Sequence, residues 1–218
     1  MLKIQHISAA YHKGYPILED VNLELGSGGR MAILGRNGAG KTTFANSIFG
    51  LVPRVSGEIW YDGKDLGRIP LNELRSAGLG YFMQGAPVFP QLSIRENLLF
   101  AAGKIKMQDF HIRMDTFKAS MPLMKDPQID KMPAGSLSGG ERTQLAIAMA
   151  IFNRPSLLIL DEPFAGLSPA NANLVLHILE DYHESSGASL IMIAQDRQLA
   201  FAFCDAHYLI RDNQLIRE

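Results

Sequence analysis

The first part of the chain places apolar residues in the patterns of β-strands. Leu2–Ala10 is predicted to form one strand, and Val21, Leu23 and Leu25 alternate with polar residues, as in a half-buried strand. After a glycine-rich break, Met31–Leu34 is a short continuous apolar run, which is typical of a parallel strand covered on both faces. These patterns predict that the chain begins in β-sheet.

The last third repeats the pattern of buried strand and helix. Leu157–Leu160 and Leu190–Ala194 are further continuous apolar runs, and the segment between them, Ala170–Tyr182, mixes leucines with polar residues as a crossover helix does. Lys41–Phe49, after the strand at Met31–Leu34, is also compatible with a helix. The two ends of the chain therefore predict an α/β core.

The middle of the chain has a different character. Residues 85–136 are rich in Pro, Met and helix formers, and apolar side chains recur every three or four residues at Met107, Phe110, Met114, Phe117, Met121 and Met124. Such a Met-rich stripe is either an adaptable docking surface or simple core, and we favour core. We predict one domain over 1–218, with core segments of about 1–84 and 157–218 around a helical subdomain of about 85–156.

Composition excludes several classes of protein. The formal net charge is −1 and no run of like charges occurs, so a nucleic-acid partner is not favoured. No apolar run approaches the roughly 20 residues of a spanning helix, so a membrane role would require a partner. The single cysteine, Cys204, lies in an apolar stretch and is predicted to be a buried thiol. The six histidines show no metal-ligand spacing, so no structural metal is predicted.

A glycine-rich loop separates the strand at Met31–Leu34 from the following helix. It matches G-x-x-x-x-G-K-[ST] at Gly35, Arg36, Asn37, Gly38, Ala39, Gly40, Lys41 and Thr42, with Thr43 next. Backbone N–H groups of such a loop wrap phosphates, Lys41 can reach the β- and γ-phosphates, and Thr42 can ligate Mg²⁺. These residues, Thr43 included, are the candidate nucleotide-binding set, and they predict ATP and Mg²⁺ as ligands.

Two acids follow the apolar run at Leu157–Leu160. The carboxyl ends of parallel strands are where ligands bind in α/β sheets. Asp161 can therefore hold the Mg²⁺ shell, while Glu162 can orient or deprotonate an attacking water.

A second helix start is predicted at Leu137, Ser138, Gly139, Gly140 and Glu141. The two glycines leave the backbone bare at the beginning of a helix that we expect from about Glu141 to Phe152. Ser138 and the helix N-terminus form an anion site that has no phosphate loop of its own.

Together these motifs resemble the ATP-binding-cassette (ABC) family over nearly the whole chain. The resemblance implies an α/β fold with a P-loop NTPase core: a mixed, mainly parallel sheet with helices, N-terminal antiparallel strands and an inserted helical subdomain. It also implies that two subunits sandwich two ATP molecules, each between the phosphate loop of one subunit and the signature, Leu137–Glu141, of the other.

The same resemblance assigns further roles. Tyr11 is placed like the aromatic residue that stacks on adenine, although Tyr15 and His12 lie close by. Gln84 looks like the glutamine that links Mg²⁺ and the attacking water to the helical subdomain. Gly85–Phe100 is similar to the surface that receives a coupling helix from the membrane subunit.

Two positions depart from the family pattern. Ser168 stands where the D-loop usually ends in aspartate, and Gln195 stands where the switch histidine contacts the γ-phosphate. A glutamine can donate a hydrogen bond to a phosphate but cannot carry the charge of a proton. Both departures, and the Val88–Leu98 stretch, resemble the subgroup that energises importers of branched-chain amino acids, urea or short amides.

The resulting hypothesis is an ATPase subunit at the cytoplasmic face of the inner membrane. Its expected partners are a second ABC ATPase subunit, identical or homologous, and integral membrane permease subunits. The alternative is a soluble ABC-type factor that acts in assembly or regulation without transport. A chromosome-structuring ATPase of this family is disfavoured, because the segment between Gln84 and Leu137 is too short for a long coiled coil. The solute and the direction of transport stay open.

Overall fold

The computed structural model describes residues 1–218 as ten strands and seven α-helices. The strands are β1 (Leu2–Ala10), β2 (Leu18–Leu25), β3 (Arg30–Leu34), β4 (Arg54–Tyr61), β5 (Lys64–Asp65), β6 (Leu79–Phe82), β7 (Leu157–Asp161), β8 (Ser189–Ala194), β9 (Ala206–Arg211) and β10 (Gln214–Arg217). The helices are α1 (Lys41–Ile48), α2 (Leu71–Leu74), α3 (Ile94–Ala102), α4 (Met107–Ser120), α5 (Gly139–Ile151), α6 (Pro169–Ser186) and α7 (Arg197–Phe203).

The strands form two sheets. The first is antiparallel in the order β2-β1-β4-β5, and the second has the order β10-β9-β3-β8-β7-β6. In the second sheet only the β9–β10 pair is antiparallel. The predicted combination of a mainly parallel sheet with N-terminal antiparallel strands is therefore confirmed. Because β3, β7 and β8 are parallel neighbours, the segments that follow them meet at one edge of the sheet.

The parallel sheet is buried on both faces, which explains its continuous apolar strands. Ala32 and Leu34 of β3 pack into a cluster with the helices of the insert and α6, while Met31 and Ile33 pack on the other face with α1 and the antiparallel sheet. The residues of β7 alternate in the same way, and all five are buried. Burial on both faces removes the polar alternation of a half-exposed strand.

Between β6 and β7 the chain is helical and contains no strand. The predicted stripe lies in the core at five positions, Phe110, Met114, Phe117, Met121 and Met124. Met107 differs, because it is the first residue of α4 and 48% of its surface is exposed. Helix α5 begins at Gly139, two residues before the predicted start. No helix is both long and apolar enough to span a bilayer.

Cys204 is buried at the end of α7, as the sequence predicted. Desolvation raises the pKa of its thiol to about 12. A thiol with so high a pKa stays protonated and unreactive near neutral pH.

Candidate nucleotide site

The phosphate loop connects β3 to α1 in a conformation that requires glycine. Gly38 and Gly40 have positive φ angles of 79° and 104°. A Cβ atom on Gly40 would also lie 2.9 Å from Cγ2 of Ile17. Gly40 is the N-cap of α1 and no side chain caps the helix. The first N–H groups of α1 are therefore left for a ligand, and the helix dipole favours an anion there.

Lys41 is held inside the loop by oxygen atoms. Its Nζ atom donates to the carbonyl oxygens of Gly35, at 2.9 Å, and Arg36, at 3.3 Å. The same atom lies 3.2 Å from Oε1 of Glu162, and only 7% of the lysine side chain is exposed. A buried ammonium group needs such partners, and phosphate oxygens offer stronger ones. These contacts hold a positive charge at the start of α1, where it can bind phosphate oxygens.

Asp161 ends β7 as a fully buried carboxylate, and neither of its oxygens has a hydrogen-bond partner. Desolvation raises the pKa of Asp161; the neighbouring Thr42 hydroxyl offsets part of this effect, whereas the charge of Glu162 adds to it. A buried carboxylate without partners is costly unless a cation or proton neutralises it. Carboxylate and hydroxyl oxygens are ligands that Mg²⁺ accepts, so Asp161 and Thr42 fit a magnesium site.

Glu162 joins the ends of β7 and β8. Its φ angle is +53°, and its backbone N–H donates to the carbonyl oxygen of Ile193 at 2.8 Å. Its Oε2 atom accepts from the backbone N–H of Gln195 at 3.1 Å, while Oε1 contacts Lys41. One carboxylate is thus fixed between the phosphate loop and the segment after β8.

A cavity of about 280 Å³ brings eight of the predicted residues together, whereas Gly35, Arg36, Ala39 and Asp161 do not line it. Its lining consists of Ile17, Asn37, Gly38, Gly40, Lys41, Thr42, Thr43, Gln84 and Glu162. Gln195 lies in an adjoining cavity of about 680 Å³, which it shares with Glu162 and the 163–167 loop. Tyr11 and Tyr15 line neither cavity and are 39% and 77% exposed, and His12 pairs with Tyr15 in a short bridge.

The signature segment forms the N-terminus of α5 and does not line the phosphate-loop cavity. Ser138 is the N-cap, and it forms a capping box with Glu141. Leu137 is buried, whereas Ser138 and Gly139 are exposed. A Cβ atom on Gly139 would meet nothing within 4 Å, but one on Gly140 would lie 2.3 Å from Nδ2 of Asn171. Packing within the chain therefore accounts for Gly140 but not for Gly139.

Two residues depart from the family pattern: the side chain of Ser168 caps a helix, whereas the side chain of Gln195 has no structural role within the chain. Ser168 is the N-cap of α6, where its Oγ atom accepts from the backbone N–H of Asn171 at 3.4 Å, as an aspartate could. Gln195 contributes only its backbone N–H, and its side chain is exposed without a hydrogen-bond partner.

The segment predicted as a docking surface is organised by a residue that the sequence analysis did not select. Asn97 is fully buried and bonds both backbone groups of Phe89 and the carbonyl oxygens of Leu92 and Ser93. Outside it, the Phe89 and Phe100 rings meet at 4.4 Å and are 39% and 63% exposed. The Ser-x-x-Glu motif at Ser93, which forms a capping box, was the signal in the sequence for the start of α3.

The fold and the site define an ATPase of the ATP-binding-cassette class. The chain belongs to the ABC transporter family, whose model matches residues 18–165. It is an ATP-binding and ATP-hydrolysing subunit of an ABC transporter.

Relatives with different transport systems cover almost the whole chain. The lipopolysaccharide export system ATP-binding protein LptB of Escherichia coli K12 is 33% identical over 99% of this chain and 88% of its own. BraG of Pseudomonas aeruginosa, a high-affinity branched-chain amino acid transport ATP-binding protein, is 30% identical over 99% of this chain and 91% of its own. LivF of Archaeoglobus fulgidus, described as probable branched-chain amino acid transport, is 32% identical over 96% and 88%.

Solved structures have the same fold. CbiO1 of Clostridium perfringens, part of the transporter complex cbiONQ, aligns with a TM-score of 0.83 and 26% identity over 99% of this chain and 86% of its own. The dimeric cassette MJ0796 bound to ADP and Pi aligns with a TM-score of 0.84 over 100% of this chain and 98% of its own. At 23% identity, the latter likeness supports the fold alone.

Proposed function

We propose that this chain energises the uptake of branched-chain amino acids or of a small amide through separate membrane subunits. The observation that carries the proposal is the similarity to BraG and LivF over nearly their full lengths. Ser168, Gln195 and the Val88–Leu98 stretch, which resemble the same importer subgroup, support it further.

ATP would bind with its phosphates on the loop Gly35–Thr43, where Lys41 exchanges its carbonyl partners for phosphate oxygens. Tyr11 would stack on adenine. Thr42, Gln84 and Asp161 would hold Mg²⁺, which supplies charge neutralisation at the phosphates. Glu162 would accept a proton from the attacking water, because its carboxylate is held by Lys41 and the backbone of Gln195 and lines the same cavity. The amide of Gln195 would donate to a γ-phosphate oxygen.

The working unit in this proposal is a dimer of cassettes. Ser138 and Gly139 are exposed and lie outside the phosphate-loop cavity of their own chain, so a second chain would bring its signature to the nucleotide. Permease subunits would dock on the surface around Phe89 and Phe100, which would place the chain on the cytoplasmic face of the inner membrane. The dimeric MJ0796 cassette and the cbiONQ complex are precedents for both arrangements.

A second candidate is an export system for a lipid-like molecule. LptB is as similar to this chain as the amino-acid relatives are, at 33% identity. The nucleotide site does not distinguish the two candidates, because the relatives of both kinds are ATP-binding proteins. The soluble, non-transporting factor would differ from both in lacking membrane partners.

The test is to purify the tagged chain with its partners from detergent-solubilised native membranes and to reconstitute the complex in liposomes. We expect membrane subunits to co-purify, and we expect ATP-dependent accumulation of radiolabelled leucine or of a labelled short amide. A complex with Lys41→Ala should assemble but transport nothing. Extraction of lipid without uptake of either solute would favour the export system, and an absence of membrane subunits would favour the soluble factor.

A further inference from the structure

A cavity of about 320 Å³ opens where α4 meets the C-terminal ends of α5 and α6. None of its lining residues belongs to the candidate nucleotide site, and none is Asp or Glu. The lining residues that define it are Arg113, Phe117, Phe152, Arg154, Tyr182 and Ser186. Its volume is at the lower end of the range for small-molecule sites.

The walls of this cavity are aromatic. Phe117 and Phe152 are buried, and their ring centroids are 5.5 Å apart. Tyr182 is also buried, and its hydroxyl donates to the carbonyl oxygen of Pro155 at 2.6 Å, so its polar end is satisfied. These aromatic residues and Ile151 form the apolar part of the lining, which suits a ring or a branched hydrocarbon, while serine and threonine residues form part of the remainder.

Two arginine residues, Arg113 and Arg154, line the cavity. Arg113 uses Nη1 to bond the carbonyl oxygen of Phe152, at 2.7 Å, and Oδ1 of Asn153, at 3.1 Å, which places its charge at the end of α5. Arg154 is different, because its side chain makes no hydrogen bond and no ion pair. Its φ angle is +52°, in the left-handed region that glycine adopts at lower cost. The end of α5 therefore carries an unpaired cation at a position where glycine would fit the backbone better.

We propose that this cavity binds a small organic anion. A carboxylate, phosphate or sulfonate group would pair with Arg154, with Arg113 at the same rim, and an aromatic or branched apolar body would lie against Phe117 and Phe152. The cavity bridges α4 of the helical segment and α6 beside the sheet. Its lining includes Ile151, the last residue of α5, and Ser156, which precedes β7, so an occupant would contact the end of α5 that is opposite Ser138.

The test uses the purified full chain with its nucleotide site saturated with Mg-ADP, and phenyl phosphate as the probe in a calorimetric or NMR titration. We expect a dissociation constant on the order of 1 mM, typical of a one-ring ligand. Arg154→Gln should weaken binding about tenfold or more. Arg217→Gln, which removes another exposed arginine that has no ion-pair partner, should leave the affinity unchanged. Equal affinity in Arg154→Gln and the unsubstituted chain would overturn the proposal.

Two further measurements test separately how the anionic group and the apolar cavity contribute to binding. Thr116→Trp, on the α4 wall, should fill the space and abolish binding without removing a charge, and a thermal melt checks that this variant folds. Inorganic phosphate and phenol each carry half of the probe, so each should bind more weakly than phenyl phosphate. Inorganic phosphate that binds as tightly, or phenyl phosphate that fails to bind at about 10 mM, would also contradict the proposal.

Discussion

Among single residues, Glu162 links the phosphate loop to the segment that follows β8. Its two carboxylate oxygens have different partners, Lys41 on one side and the backbone N–H of Gln195 on the other. A glutamine in its place keeps an oxygen for the N–H group but loses the charge and the ability to take a proton. The Glu162→Gln substitution therefore tests the basicity of the carboxylate while it keeps an acceptor for the backbone N–H of Gln195.

We predict that Glu162→Gln binds ATP but hydrolyses it about 10²- to 10⁴-fold more slowly, as expected when a general base is removed. ATP that is bound and not consumed should also favour the dimer by mass action. Single-turnover hydrolysis and size-exclusion chromatography with ATP measure the two effects. Glu184→Gln, an exposed glutamate on α6, serves as the matched control. Wild-type turnover in Glu162→Gln would show that Glu162 is not the base.

Gln195 leads to a separate prediction, because only its backbone contacts Glu162. Replacing the side chain should leave that backbone contact intact and change only the side-chain group that can donate a hydrogen bond to the γ-phosphate. We expect Gln195→His to hydrolyse saturating ATP faster by about tenfold or less, since a single neutral donor contributes about 0.5 to 1.5 kcal/mol. Gln195→Ala should be slower than the unsubstituted chain. An unchanged or lower rate in Gln195→His would remove the reason for expecting a histidine-bearing sibling as partner.

The sequence indicates candidate residues but not the contacts between them. Lys41, Asp161 and Glu162 stand in short motifs whose spacing is local, so a single sequence is enough to select them. The Lys41–Glu162 ion pair and the Gln195–Glu162 hydrogen bond join segments that follow different strands. Those contacts depend on the strand order β3-β8-β7, which no local pattern specifies.

At the scale of elements, the start of α5 provides a matched pair of substitutions. A methyl group on Gly140 would collide with Asn171 of α6, whereas a methyl group on Gly139 would face open space. We predict that Gly140→Ala lowers the free energy of unfolding by about 1 kcal/mol or less, because the added methyl group displaces only the end of the Asn171 side chain. Gly139→Ala should leave stability unchanged or slightly higher, because alanine favours the helix, and should still reduce ATPase activity. Equal loss of stability in both variants, by urea denaturation, would contradict this reading of the signature.

An ion pair between Arg30 and Asp205 joins β3 to the start of β9. Arg30 bonds Asp205 with two nitrogen atoms, at 2.9 and 3.2 Å. This contact lowers the pKa of the Asp205 carboxyl. Because the folded-state pKa is below the unfolded one, the stabilisation is complete above the unfolded pKa of about 3.9 and is lost as pH falls through the folded pKa.

We therefore expect Asp205→Asn to lower stability by no more than about 1 kcal/mol near neutral pH, since the pair is largely exposed. The difference from the unsubstituted chain should shrink as the medium is acidified below about pH 4. Urea denaturation curves over a pH series measure it. A difference that stays constant into acid would mean that the charge of Asp205 is not the cause.

Elements were predictable where burial imposes a clear pattern. β1, β2, β3, β7 and β8 stood out because they are half or fully buried, and their apolar residues follow a period of two or form a continuous run. β4 was missed, since only Ile59 and Tyr61 of its eight residues are buried. β9 has a single buried residue, Ile210. Such strands are held by pairing with distant partners and carry no pattern of their own.

In the whole molecule, we infer that each chain carries the phosphate-loop half of one site and the signature half of another. The phosphate-loop cavity includes no residue of Leu137–Glu141, and Gly139 is exposed, with no atom of the chain within 4 Å of the position that a Cβ atom would take. Two chains in opposite orientation would complete both sites at once, which is the closed arrangement that a two-fold axis generates. Turnover per chain should then rise with protein concentration wherever the dimer is partly formed.

The most direct test mixes two inactive variants. Lys41→Ala disables the phosphate loop and Ser138→Arg disables the signature, so each variant alone should have almost no ATPase activity. In a mixed dimer, the intact loop of the Ser138→Arg chain meets the intact signature of the Lys41→Ala chain. With random pairing, half of the dimers carry one good site of two, and we predict recovery of roughly a quarter of the unsubstituted activity. No recovery, in a mixture whose mixed dimers are demonstrated by differential tagging, would contradict a site shared between two chains.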